Sequence, residues 1–185
     1  MGARRTEGAG IFAMTIHSTH PFADAEPDPA RRFRGRVGGA VTLWTAGDDA
    51  ERAGLTVSSH MVALGSEPTV LALLDPDSDL LEVLRETGRG VVQLLSWADR
   101  QLAEAFAGTA PAPGGPFRQA AFVATPYGPR LGSAATWAGV RLAGEREVGW
   151  SVEVAAVLEH VELGPDEAGD DPLLHRRGRF HRATP

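Results

Sequence analysis

A chain of 185 residues, 43% hydrophobic and 23% charged, has the make-up of one globular domain long enough to bury a core, with room for a tail. It has no cysteine, which excludes disulfides, thiolate metal sites and a cysteine nucleophile. The net charge of −6 speaks against sequence-independent nucleic-acid binding, which depends on neutralising phosphates, and all 18 basic residues are arginine, so no lysine serves as Schiff base or phosphate ligand.

Residues 1–32 are rich in Ala, Gly, Pro, Asp and Arg without periodicity and predict a disordered tail before a domain spanning 33–185. Val37 to Thr45 reads as a strand opened by glycines, and Gly47-Asp48-Asp49 as a turn. Ala53 to His60 reads as a second strand. Thr69 to Leu74 is an apolar run suited to a strand buried on both faces. Ser78 then offers an N-cap to a short helix with Leu80, Leu81 and Leu84 on its inner side, stopped by Gly88. Gly90 to Leu95 is another strand. A second helix follows, capped by Ser96 or Asp99, with Leu102, Ala103 and Phe106 inward.

Thr109 to Pro116 reads as a flexible loop. Ala121–Thr125, Ser133–Arg141 and Ser151–Val161 are strand-like, and Asp171 to Arg182 is a polar end with a Pro-Leu-Leu anchor. The order is mainly β with two short helices and no regular strand–helix alternation, which favours an antiparallel barrel whose helices cover an opening. No Gly-x-Ser-x-Gly elbow, Gly-x-Gly-x-x-Gly loop or Walker loop occurs. The six histidines are scattered, so no metal site is expected. No apolar stretch reaches membrane length, and the expected location is the cytoplasm, with neither membrane nor nucleic acid as partner.

Five segments in order resemble the flavin reductase-like family of flavin-binding split β-barrels, from about Phe33 to Arg182. They are Gly39 to Thr45; Gly54-Leu55-Thr56-Val57-Ser58-Ser59 followed by Pro68; Gln93 to Ser96 with Leu102 to Gly108; Ser133 to Trp137; and Asp171-Pro172-Leu173-Leu174 with Arg179-Phe180. The resemblance implies an antiparallel split barrel and a homodimer binding one flavin per subunit near the interface. It further implies an NAD(P)H-dependent reductase, with NADH or NADPH as hydride donor and a separate monooxygenase as a partner in many members. FMN is favoured over FAD or riboflavin.

The same resemblance lays Thr56, Val57, Ser58 and Ser59 along the isoalloxazine and the ribityl phosphate. Their hydroxyls and N–H groups suit an anionic reduced ring. By spacing alone they read first as a barrel strand with outward hydroxyls. Asp75 and Ser78 stand in a second flavin loop, where Ser78 is either a phosphate donor or a plain N-cap, and Asp77 and Asp79 repel phosphate. Arg85 or Arg89 would offset them. Gln93 holds a ring or ribityl oxygen, or is a polar strand-edge residue, and Phe106 reads as core rather than as a ring stacked on the flavin. Where many reductases have Gly-Asp-His this chain has Val148-Gly149-Trp150. Trp150 either meets the flavin or nicotinamide or is a buried barrel residue, so a flavin-binding module without reductase activity stands as the alternative, and no catalytic side chain is singled out.

Overall fold

A computed structural model describes residues 28–165 and 171–183; the expected tail up to residue 27 lies outside them. The first element is helix α1 (Pro29–Val37), so the last residues assigned to the tail are helical. Asp28 caps it, its carboxylate accepting from the Ala30 and Arg31 N–H groups at 2.8 and 3.3 Å. Among the described residues twelve strands, two further α-helices and three short 3-10 turns follow. The strands and helices are β1 (Gly39–Ala40), β2 (Thr42–Ala46), β3 (Ala53–Val57), β4 (His60–Ala63), β5 (Thr69–Leu74), α2 (Asp79–Thr87) and β6 (Arg89–Leu94). After these come α3 (Arg100–Phe106), β7 (Phe122–Thr125), β8 (Gly128–Leu131), β9 (Trp137–Val148), β10 (Ser151–Glu162), β11 (Leu173–Arg176) and β12 (Arg179–Arg182).

Seven strands form one antiparallel sheet in the order β3-β2-β6-β9-β10-β5-β4. It curls into a half-barrel, bringing β3 towards β5 without pairing them. Each face carries its own core. One holds Trp44, Val57, Val70, Leu74, Val140, Val152 and Val154 against Leu80, Leu81 and Leu84 of α2. Burying each such leucine contributes about 1.5–3 kcal/mol. The other holds Val41, Leu43, Leu95, Leu131 and Leu173 against Leu102, Ala103 and Phe106 of α3. Leu43 and Trp44 are neighbours on β2 in different cores, which is why that strand is buried at every position.

Several boundaries differ from the sequence expectation. The strand expected over Ala53–His60 breaks at Ser58–Ser59, where the chain turns out of β3 into β4. Ser133–Thr136 is a turn, and the long strand begins at Trp137. Two hairpins, β7–β8 and β11–β12, were not expected; the second pairs with β1 in a three-stranded sheet.

Helix α3 lies directly on β3. A Cβ on Gly54 would stand 2.7 Å from a ring carbon of Phe106 and 3.2 Å from the Thr45 methyl. The Thr56 hydroxyl donates to the Ala103 carbonyl at 2.8 Å. Gly54→Ala therefore forces the rigid phenyl ring off the strand and is expected to cost about 1–3 kcal/mol. Urea unfolding checks this, against Gly144→Ala as control, since nothing lies within 4 Å of that position.

Candidate functional site

β3 is the outermost strand at its end of the sheet, paired on one side only, by β2. Its other edge offers a row of backbone donors and acceptors without a strand partner among the described residues. That edge ends at Ser58 and Ser59. The Ser59 carbonyl accepts from the Leu73 N–H and the Ser59 hydroxyl donates to the Leu73 carbonyl, both at 2.9 Å. The next residue of β5, Leu74, pairs with Val152 of β10. Asp75 follows Leu74, and Trp150 lies two residues before Val152 at the tip of the β9–β10 hairpin. The structure thus brings Ser58, Ser59, the Asp75–Ser78 loop and Trp150 to one end of the half-barrel.

The individual side chains divide into those spent on the fold and those left over. Thr56 is committed to α3 through its hydroxyl, and Val57 is buried in the core. Ser58 is half-buried and makes no side-chain hydrogen bond to a described residue, so its hydroxyl is available. Trp150 is 67% exposed rather than a buried barrel residue, and presents its indole to solvent or to a ligand.

Gln93 is not brought to this end. It is fully buried; its carbonyl oxygen accepts from the Leu131 N–H at 2.6 Å and its amide donates to the Thr45 hydroxyl at 3.3 Å. It clamps β6 to β2 and β8, with no face left for a ligand.

The Asp75–Ser78 loop is a tight turn in which the Ser78 hydroxyl donates to the Asp75 carbonyl at 2.8 Å and accepts from no helix N–H. Four carboxylates, Asp75, Asp77, Asp79 and Glu82, crowd the start of α2 and answer its dipole. Neither arginine considered for offsetting them reaches the loop. Arg85 forms a two-pronged ion pair with Glu145 at 2.9 and 3.0 Å, and Arg89 lies over the Tyr127 ring.

Next to Ser59, His60 is half-buried on β4 opposite Ala72. Its Nδ1 has no partner among the described residues, and burial lowers its pKa, so it is neutral at pH 7. Among the described residues no three His, Asp or Glu side chains gather as a metal site, and no helix is long and apolar enough to cross a membrane.

The sequence reading missed the surroundings of the C-terminal hairpin. His175 of β11 pairs with Gly39, and Gly39 lies against the Ser58 carbonyl, which a Cβ there would meet at 3.0 Å. The hairpin is therefore one short strand away from Ser58. The available signal was Arg177-Gly178, which take φ 54° and 73°, as a two-residue type I′ turn requires.

Gln93→Leu is expected to cost about 1–3 kcal/mol, because it leaves the buried Leu131 N–H without its acceptor, while the Thr45 hydroxyl keeps its bond to the Pro129 carbonyl. Flavin affinity of the folded variant is expected to stay within about twofold, since nothing of Gln93 faces the open end. Chemical denaturation and a flavin titration of the same variant check the two halves.

Residues 34–184 match the family described as flavin reductase like domain. No curated protein sequence matches the chain. Solved structures share its fold. The NADH:FAD oxidoreductase SgcE6 of Streptomyces globisporus C-1027 superposes with a TM-score of 0.74 at 23% identity, covering 88% of this chain and 99% of its own. Flavin reductase PheA2 gives 0.74 at 20%, covering 86% and 100%. The styrene monooxygenase flavin reductase of Pseudomonas putida S12 gives 0.70 at 22%, covering 83% and 97%. The matched segment runs from α1 to the end of the β11–β12 hairpin and includes every element that forms the open end, so the chain belongs to the flavin reductase-like domain family.

Proposed function

We propose that this protein is a flavin reductase that takes a hydride from NADH or NADPH and releases reduced flavin, with FMN the favoured acceptor and FAD or riboflavin as alternatives. The observation that carries this reading is the unpaired edge of β3 ending in the free Ser58 hydroxyl, in a chain of this family. The donor set suits a flavin: a flat ring edge of alternating donors and acceptors can pair with a strand edge much as another strand would. Bound flavin supplies the two-electron acceptor for the nicotinamide hydride.

The chain's own residues then bind, orient and exclude water. Those backbone N–H groups of residues 56–59 that point away from β2 face the side of the ring where negative charge collects, a stabilisation set in place before reaction. Ser58 donates to a ring or ribityl oxygen. Trp150 covers the open end with its apolar face. The hydride step needs close alignment of two rings rather than a proton relay, which fits the lack of a carboxylate pair or triad among these residues.

A homodimer is part of this reading. Met61, Val62 and Leu64, in and just after the edge strand β4, are 66%, 55% and 90% exposed beside Ser59. An apolar edge of this kind suits a second copy of the chain. Because one similar structure is the reductase of a styrene monooxygenase, a separate monooxygenase that consumes the reduced flavin is the proposed partner.

The test is anaerobic oxidation of NADH and NADPH with FMN, FAD or riboflavin, followed at the nicotinamide absorbance. Flavin-dependent turnover is expected with at least one pair, and Trp150→Ala is expected to raise the KM of flavin or nicotinamide about two- to tenfold through loss of an aromatic contact. A protein that binds flavin and turns over no pair would instead be a binding module.

A further inference from the structure

Helix α1 turns its apolar side outward. At about 100° per residue, Arg31 and Gly35 share one face, and Phe33 and Val37 share the opposite one. Arg31 and Gly35 are partly buried, and Gly35 rests on the turn of the C-terminal hairpin. A Cβ there would stand 3.8 Å from the Arg177 Cα, and the Gly35 carbonyl accepts from the Arg177 N–H at 2.7 Å. The Arg36 carbonyl accepts from Arg176 Nε at 3.3 Å. Phe33 and Val37 are left 72% and 68% exposed, and no residue of the helix is buried. A surface helix ordinarily turns such a stripe towards the core.

Arginine surrounds the stripe. Arg32 and Arg36 flank it on one side and Arg34 on the other. Arg176, Arg177 and Arg179 are exposed on the hairpin that carries the helix. Eight of the 18 arginines fall in the two segments 28–38 and 171–183, where the only acids are Asp28 and Asp171. Both acids are engaged: Asp28 caps α1, and the Asp171 carboxylate pairs with Arg182 at 2.6 Å. Eight arginines against two acids leave six positive charges on this face, in a chain whose net charge is −6. His175 has its pKa lowered by burial and then by the fields of Arg34 and His181, so at pH 7 it adds no charge of its own.

A specific protein interface takes about 800 Å² from each partner around an apolar centre. A nine-residue helix, about 13 Å long and carrying two apolar side chains on a convex surface, supplies no such centre. An anionic bilayer asks for less. It offers phosphates to guanidinium groups, and its boundary accepts apolar side chains to a depth of about 5–10 Å whatever the shape of the helix that carries them.

We infer that α1 and the C-terminal hairpin form a docking surface for an anionic lipid bilayer, with Phe33 and Val37 entering the headgroup boundary and the arginines on the lipid phosphates. Among the described residues no helix is long and apolar enough to cross a membrane, so the contact is with the bilayer surface. It stands apart from the flavin reading, because Phe33, Val37 and the arginines of α1 take no part in that site.

Co-sedimentation of the full chain with vesicles of phosphatidylglycerol and phosphatidylcholine tests it, against vesicles of phosphatidylcholine alone. Binding to the anionic vesicles only is expected, and it weakens as salt rises past the physiological range. The double variant Arg34→Gln with Arg36→Gln is expected to bind about twenty-fivefold more weakly, about fivefold for each charge removed. Phe33→Ser is expected to weaken binding about tenfold. Leu163→Ser, at an apolar position 74% exposed elsewhere on the molecule, is expected to bind as the native chain does. All of these positions are exposed, so unchanged circular dichroism is expected throughout. No binding to anionic vesicles, unchanged binding in either α1 variant, or an equal loss in the Leu163 variant overturns the inference. Retention on immobilised poly-glutamate by a chain that leaves the vesicles unbound also overturns it, and makes the occupant an acidic protein.

Discussion

The contact on which the site depends is the seat of α3 on β3. Gly54 has no side chain, so the Phe106 ring rests on the strand, and the Thr56 hydroxyl ties the helix backbone to it. That contact fixes three things together. It closes the second core, in which Phe106 packs edge-on against Phe117 at 4.9 Å. It orients the free edge of β3. It also sets Arg100 and Glu104 opposite the C-terminal hairpin. A glycine that looks like a tolerated gap in a strand is therefore the point where the helix, the strand edge and the hairpin are fixed relative to one another.

Charge is distributed unevenly around this centre. The chain is acidic overall, yet acids gather where the sequence resemblance places a phosphate loop, at Asp75, Asp77, Asp79 and Glu82, while arginines gather at α1 and the C-terminal hairpin. Arg85 does not neutralise the acidic loop because it braces the exposed β9 against α2 through Glu145. An exposed pair of that kind contributes little to stability, but it engages Arg85 away from the α2 start. Acidic side chains thus gather at the start of α2 and basic ones at α1 and the C-terminal hairpin.

Much of the fold was legible in the sequence because the signals were local. The run of Thr69–Leu74, the leucines of α2 with Gly88 in the left-handed C-cap, and the Ser96–Asp99 capping box can each be read within a few residues. What was not legible depends on distant partners. Gln93 looked like a ligand contact because its acceptor duty is to Leu131, far along the chain. The choice between Arg85 and Arg89 had no local answer, since Glu145 sits on a remote hairpin. The β7–β8 hairpin was hidden by Pro126 and Pro129, which read as breakers but are tolerated in a two-stranded ribbon. The C-terminal hairpin was hidden because Leu-Leu-His-Arg and Arg-Phe-His-Arg do not alternate cleanly and Arg-Gly is a rarer turn than Asn-Gly. Trp150 was visible as a departure from the family pattern, but not its exposure at a hairpin tip.

The central claim is that flavin pairs with the open edge of β3. Hydrogen–deuterium exchange of the backbone amides, measured with and without oxidised FMN, tests it most directly. The account predicts that added flavin slows exchange at residues 56–59, with smaller effects at residues 75–78 and at the tip around Trp150. Flavin binding that leaves residues 56–59 exchanging as before would contradict it.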